Sequence, residues 1–289
     1  MHGRVPDARE PFPPSENAPT RQRSAGHVGL RAGPVGAGGS TRLLDLSESG
    51  PSRLRFPRGE GTLEAVLVNT AGGVACGDTF TIDLTLDPAA DLVLTTTAAE
   101  KIYRSDGPVS RIENRLVLGA GARLAWLPQE TILFDRARVR RRFEADLDPG
   151  AALLAVEIVA FGRAARGERI TAGLLADTWR VRRHGRLVYA DSFVLEGPIS
   201  DLLARPAIGG GARACATLLD VSDSAETRLD EARTRLAAWD RTGIEAAASA
   251  WNGNLVIRAL AEGVGPLREF IAGFVAGYRG LPMPRVWQS

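Results

Sequence analysis

Apolar and polar residues alternate across residues 80–86, where Phe80, Ile82, Leu84 and Leu86 are separated by Thr81, Asp83 and Thr85. Successive side chains leave opposite faces of a strand, so period two over this length predicts a half-buried β-strand. An echo follows it. Asp87-Pro88-Ala89-Ala90 precedes Leu92-Val93-Leu94, Gly119-Ala120-Gly121-Ala122 precedes Leu124-Ala125-Trp126, and Asp148-Pro149-Gly150-Ala151 precedes Leu153-Leu154-Ala155. Each turn follows a candidate strand (80–86, 112–118 and 139–147), and Leu92, Leu124 and Leu153 stand 32 and 29 residues apart. Strand–turn–strand units at a near-fixed period cannot bury a face alone and must stack, as in a solenoid. The competing reading is three unrelated hairpins in a sandwich.

Further on, residues 179–181 and 187–189 flank His184-Gly185, a turn dipeptide at the tip of a predicted hairpin. The texture changes after Val221. Ser222-Asp223-Ser224 offers an N-cap, and Leu229, Ala232, Leu236 and Trp239 follow at helical spacing. Residues 251–260 read as one more strand. A second helix is predicted from about Gly265, with Leu267, Phe270, Ile271, Phe274, Val275 and Tyr278 on its apolar face and Gly280-Leu281-Pro282 ending it. The expected fold is mainly β: a β-helix or solenoid-like body over about residues 23–221, then a part with two helices over about 222–289, together one domain. Residues 1–22 hold five prolines (6, 11, 13, 14 and 19) and no periodicity, and read as a disordered tail.

Composition narrows the function. Among 289 residues no apolar run is long enough for a transmembrane helix, and the N-terminus lacks the apolar core of a secretory signal, so a cytoplasmic chain is expected. Two isolated cysteines (Cys76, Cys215) make no disulfide framework, which fits a reducing compartment. With three histidines besides, and no ligand-spaced motif, the chain is not expected to store a metal tightly. All 36 basic residues but Lys101 are arginine, yet net charge is only +2 with no aromatic-interleaved basic block, which argues against a nucleic-acid partner.

Four segments stand out. The first, Asn69-Thr70-Ala71-Gly72-Gly73-Val74-Ala75-Cys76-Gly77-Asp78, is glycine-rich but opens a strand and lacks a P-loop lysine, so it reads as a tight turn rather than a nucleotide site. The second, residues 95–105, carries Glu100, Lys101, Tyr103 and Arg104 as a polar cluster. The third is Trp126-Leu127-Pro128-Gln129-Glu130-Thr131-Ile132-Leu133-Phe134. It is followed by Arg136, Arg138, Arg140, Arg141 and Arg142, whose alternate members would share a hydrated strand face. The fourth places Glu157 inside Leu-Leu-Ala-Val-Glu-Ile-Val-Ala-Phe, the most unusual carboxylate in the chain. A buried ionised group needs a partner, water or a ligand, so Glu157 either meets an arginine, with Arg163 the candidate, or faces a wet interior. His184, beside a turn glycine, is poorly placed as a general base. A glycosidase-like carboxylate pair drawn from Asp78, Glu130, Glu157 or Asp191 defines an alternative, a β-solenoid enzyme acting on carbohydrate. A plain β scaffold without metal contact is the third reading.

Taken in order, the segments resemble one family. Asn-Thr-Ala-Gly-Gly-Val-x-x-Gly-Asp (69–78), Leu-Thr-Thr-Thr-x-x-x-Lys-Ile-Tyr-Arg-Ser (94–105), Leu-x-Trp-Leu-Pro-Gln-Glu-Thr-Ile-Leu-Phe (124–134) and Glu-Ile-x-x-x-Gly-Arg (157–163) are similar to the urease accessory proteins UreD, also called UreH. Residues 251–258 and the closing Pro-Arg-Val-Trp (284–287) fit as well, so the likeness runs from about residue 27 to 287. Cys76 departs from it, standing where a turn glycine is expected; a positive φ there would strain it. The resemblance implies a β-helix-like body with two C-terminal helices. It also implies a non-enzymatic chaperone that binds UreF and, through UreF, the GTPase UreG. That assembly would dock on the urease apoprotein and help insert nickel, with no tightly bound cofactor of its own. An internal nickel channel belongs to the same expectation. It would give Glu157, and after it Asp78 and Asp191, a transient role in passing Ni²⁺ through oxygen ligands that release it.

Overall fold

The computed structural model describes residues 23–36, 39–58, 61–239 and 243–288; the expected tail, 1–22, lies outside them. In chain order the strands begin with β1 (Ala25–Pro34), β2 (Thr41–Ser49), β3 (Ser52–Arg55), β4 (Leu63–Asn69), β5 (Thr79–Leu86) and β6 (Asp91–Thr96). There follow β7 (Glu100–Ile102), β8 (Ser110–Leu118), β9 (Arg123–Leu127), β10 (Thr131–Leu133), β11 (Arg138–Leu147) and β12 (Ala152–Phe161). The last are β13 (Leu174–Arg183), β14 (Arg186–Glu196), β15 (Ala214–Val221), β16 (Ile244–Trp251) and β17 (Asn254–Ala261). Three α-helices are found among the described residues: α1 (Ile199–Leu203), α2 (Leu229–Ala238) and α3 (Val264–Arg279).

The strands form two sheets. One runs β14-β13-β11-β8-β5-β1-β2; the other runs β16-β17-β15-β12-β9-β6-β4-β3, with β7 and β10 pairing beside it. Each coil climbs one sheet, turns a corner and climbs the other. Strands of successive coils pair in parallel: β5 with β8, β8 with β11, β6 with β9 and β9 with β12. Leu92 is in register with Leu124, and Leu124 with Leu153. The spacings of 32 and 29 residues are therefore the coil lengths, and the hairpin reading fails, because the strands flanking each turn belong to different sheets. The corner turns stack as well: Ala89 donates to Ala120 O at 2.8 Å and Gly121 to Pro149 O at 2.9 Å. Their third positions share a left-handed backbone, Ala89 (φ 59°), Gly121 (φ 68°) and Gly150 (φ 70°).

His184 (φ 50°) and Gly185 (φ 72°) make the expected hairpin turn between β13 and β14. The strand expected over residues 251–260 is β17, which starts three residues later, at Asn254; Asn252 and Gly253 before it turn with positive φ and join it to β16, a strand that had not been expected. The face of α3 is the one expected, with its six apolar residues buried. Together with α2 it covers the outer face of the second sheet, packing on Val156, Ile158, Leu218 and Ile257. The short α1 had no periodic signal. The C-terminal Trp287 is buried below this layer, donating Nε1 to Thr95 Oγ1 and Leu127 O, both at 3.1 Å.

Between the sheets the core is split. One apolar cluster, with Leu84, Leu92, Leu124, Leu147 and Leu153, fills the corner-turn end. Another, with Val139, Val159, Phe161, Leu175 and Leu195, fills the opposite end.

Candidate functional site

A polar seam crosses the space between these two clusters, perpendicular to the strands. Strand phase creates it. On β11 the inward positions are Val139, Arg141, Phe143, Ala145 and Leu147, while Arg140 and Arg142 face out. On β13 the matching inward residues are Leu175, Asp177, Trp179 and Val181, and register sets Arg141 beside Asp177. On β12 the alternation Leu153, Ala155, Glu157, Val159 and Phe161 points Glu157 into the same space from the facing sheet. Beside Glu157 stand Thr217 and then Arg258, in register on β15 and β17.

The arginine run therefore divides, and its one inward member, Arg141, holds the middle of the seam. Its Nη1 donates to Glu157 Oε2 at 2.8 Å and to Thr131 Oγ1 at 3.0 Å, and its Nη2 donates to Asp177 Oδ2. All three charged side chains are largely shielded, 7%, 14% and 11% exposed for Arg141, Glu157 and Asp177. Arg163, the partner expected for Glu157, instead makes a two-pronged pair with Glu168. Gly162 (φ 84°) turns the chain out of the sheet just before it.

Burial pushes the Glu157 carboxyl above its usual range; the Arg141 charge opposes the shift and Asp177 adds to it. Burial opposes protonation of Arg141, but Asp177 and then Glu157 outweigh it and hold its pKa above the ordinary value. Cys215 lies against this group, and burial pushes its thiol up to about 12. It stays protonated and offers no thiolate. Trp126 Nε1 faces Glu157 Oε1 at 3.5 Å and begins a wall of ring contacts through Phe143, Trp179 and Tyr189 to Trp251.

Two cavities open along the seam. The larger, about 520 Å³, lies towards β14 and β16, lined by Asp177, Asp191, Cys215, Glu245 and Arg258 as well as by Arg141 and Glu157. The smaller, about 80 Å³, lies towards β3 and β4, lined by Asn69, Thr96, Glu100, Asn114, Gln129 and Thr131, again with Arg141 and Glu157. Burial raises the Glu100 carboxyl to about 7, against the opposing hydrogen bond from Asn69 Nδ2 at 3.2 Å. That bond joins the first two sequence segments, and the Tyr103 hydroxyl donates to Gly72 O at 3.1 Å to complete the junction. The third segment meets the C-terminus: Gln129 Nε2 donates to Val286 O at 3.0 Å, and Arg268 pairs with Glu130 at 3.5 Å.

Of the three residues expected on a metal path, Glu157 and Asp191 line the same cavity and Asp78 does not. Asp191 Oδ2 is held by Arg258 Nη2 at 2.5 Å. Asp78 is 3% exposed, and its oxygens accept from Ser24 N at 2.7 Å and Ala75 N at 2.8 Å, so it closes a turn. Cys76 in that turn does not have a positive φ; Gly77 (φ 79°) takes the left-handed position and the expected strain is absent. Its half-exposed thiol approaches Ser105 Oγ and Asp106 Oδ1, both at 3.1 Å. Arg141 and Asp177 were not singled out from sequence. Continuing the period-two phase through 139–147, and through Leu-Leu-Ala-Asp-Thr-Trp (174–179), turns both inward and would have found them.

Among the described residues no group of three His, Cys, Asp or Glu side chains is arranged to hold a metal ion, and no helix is long and apolar enough to cross a membrane. Of the four carboxylates of the carbohydrate-enzyme alternative, Glu157, Asp191 and Glu130 are salt-bridged to separate arginines and Asp78 closes a turn.

Fold and site together define a two-sheet parallel β-solenoid with a polar seam through its interior and a helical layer on one flank. Residues 24–288 match the family described as UreD urease accessory protein, and the chain belongs to that family. It is 73% identical over 290 residues to urease accessory protein UreD 1 of Methylobacterium radiotolerans, covering all of both chains. It is 60% identical to UreD 3 of Methylorubrum extorquens (99% of this chain, 96% of the relative). It is 54% identical to UreD of Xanthobacter autotrophicus (93% of this chain, 91% of the relative). A role in urease maturation follows from the family.

Proposed function

We propose that this chain is a non-enzymatic nickel-insertion chaperone of the cytoplasm. It would form a complex with UreF and the GTPase UreG, dock on the urease apoprotein and pass Ni²⁺ along its interior seam into the enzyme. The observation that carries the reading is Glu157, a carboxylate set in an apolar strand where two cavities meet. A structural core gains little from a line of charged and amide side chains between two apolar clusters, since each needs compensation for lost hydration. A conduit for a divalent ion requires such a line. Glu100, Glu157, Asp177 and Asp191 supply oxygen ligands along it, which attract nickel without the affinity by which thiolate and imidazole sets retain it. Cys215, kept as a neutral thiol, adds no trap.

The test is co-expression of apo-urease with UreF and UreG, with and without this chain, followed by measurement of nickel bound to purified urease. Nickel is expected to fall without the chain. Unchanged incorporation would sink the proposal.

A further inference from the structure

The two cavities share Arg141 and Glu157 as lining, so the Arg141 side chain stands between them. Its guanidinium is a cation seated where two carboxylates converge from facing sheets, Glu157 from β12 and Asp177 from β13. Two carboxyl groups thus share a single guanidinium. The Nε–H of Arg141 is buried and has no hydrogen-bond partner. The buried Nε of Arg138 and of Arg183 are likewise without a partner, so what sets Arg141 apart is its place between two carboxylates and two cavities. The larger cavity, about 520 Å³, gives the side chain room to swing away, and Glu245 lines that space.

We propose that Glu157 and Asp177 form a divalent-cation site whose resident occupant is the Arg141 guanidinium, which closes the seam until an incoming ion displaces it. The inference rests on the reading of the seam as a nickel path. A divalent ion neutralises both carboxylates where the guanidinium neutralises one, and being smaller it lets the two acids close in. When the ion moves on, Arg141 returns, so the site empties without leaving two unpaired buried charges. The exchange lowers the cost of release at the expense of affinity.

The test uses the purified chain and nickel chloride alone. The indole N–H of Trp126 lies 3.5 Å from Glu157 and is a built-in reporter, since paramagnetic Ni²⁺ broadens nearby proton signals. Titration of ¹⁵N-labelled wild-type protein is expected to broaden the Trp126 indole signal while those of Trp239 and Trp287, on the helical side of the second sheet, persist. Arg141→Gln is expected to respond at about tenfold lower nickel or less, because a neighbouring positive charge at this separation opposes binding by more than that factor. Glu157→Gln with Asp177→Asn is expected to abolish the response. A wild-type Trp126 signal unchanged to the end of the titration overturns the proposal, and so does an equal response from the double variant; the first result requires no substitution to fold. Nickel incorporation into co-expressed apo-urease is scored in parallel. A Trp126 response combined with normal incorporation by the double variant upholds the cation site and sinks the relay. No response combined with lost incorporation overturns the site and leaves the relay standing.

Discussion

Replacing Arg141 with Met keeps an unbranched apolar stem and deletes the guanidinium with its charge, leaving Glu157 and Asp177 shielded and without that partner. Removing one partner of a buried ion pair costs about 3–5 kcal/mol. Here the loss should depend on pH, and its sign is fixed by proton counts. Burial already holds Glu157 above its ordinary value of 4.5 with the guanidinium present, and without it the shift grows. Above 4.5 and below that raised value the folded variant holds a proton that the unfolded chain has lost, so stability falls by about 1.4 kcal/mol for each pH unit as pH rises. At pH 4, with the carboxyl protonated in both states, little of this penalty is present; at pH 8 it approaches the full 3–5 kcal/mol. Urea unfolding of wild-type and Arg141→Met proteins at pH 5, 6, 7 and 8 reads the difference directly. A destabilisation that is the same at all four values would show that the carboxylates do not depend on the guanidinium, and the electrostatic account of the seam would fall.

Three further outcomes are expected. Glu100→Gln should stabilise the protein by about 1–3 kcal/mol at pH 8 and by almost nothing at pH 4, because the wild-type carboxyl titrates at about 7 and its stability cost sets in as pH rises from 4.5 to 7; equal effects at both values would contradict this. Ala89→Gly should raise stability by about 0.5–1 kcal/mol in thermal unfolding, since Ala89 alone among the three stacked turn positions carries a side chain in a left-handed backbone. Trp287→Ala should cost about 3–5 kcal/mol by emptying a buried site and orphaning Thr95. A near-neutral result by denaturant titration would mean that the C-terminal segment is not anchored.

Much of the architecture was legible because solenoid coils repeat. The spacing of Leu92, Leu124 and Leu153 is the coil length, the turns between the sheets share one pattern, and the six apolar residues of α3 form its buried face. The β16–β17 hairpin was missed although Asn252-Gly253 is a strong turn dipeptide. The β16 arm, Glu-Ala-Ala-Ala-Ser-Ala over residues 245–250, is poor in strand-forming residues, and only the second arm read as a strand. Half of the site was visible. Glu157 announced itself by sitting in an apolar run, whereas Arg141 was hidden among neighbouring arginines, and only its strand phase distinguishes it. The partner of Glu157 was misjudged for a deeper reason. Arg163 is six residues away in sequence, but Arg141 reaches Glu157 from the opposite sheet, a relation set by how sheets face each other and not by any local pattern.

The measurement that bears most directly on the seam as a nickel path is the metal content of urease matured with Glu157→Gln. Apo-urease is co-expressed with UreF, UreG and either the wild-type chain or the variant; the accessory complex is recovered through a tag, and nickel per urease active site is determined. A nickel path through the seam predicts a complex recovered in wild-type yield and nickel loading well below the wild-type value. Full loading by the variant, with the complex intact, would contradict it.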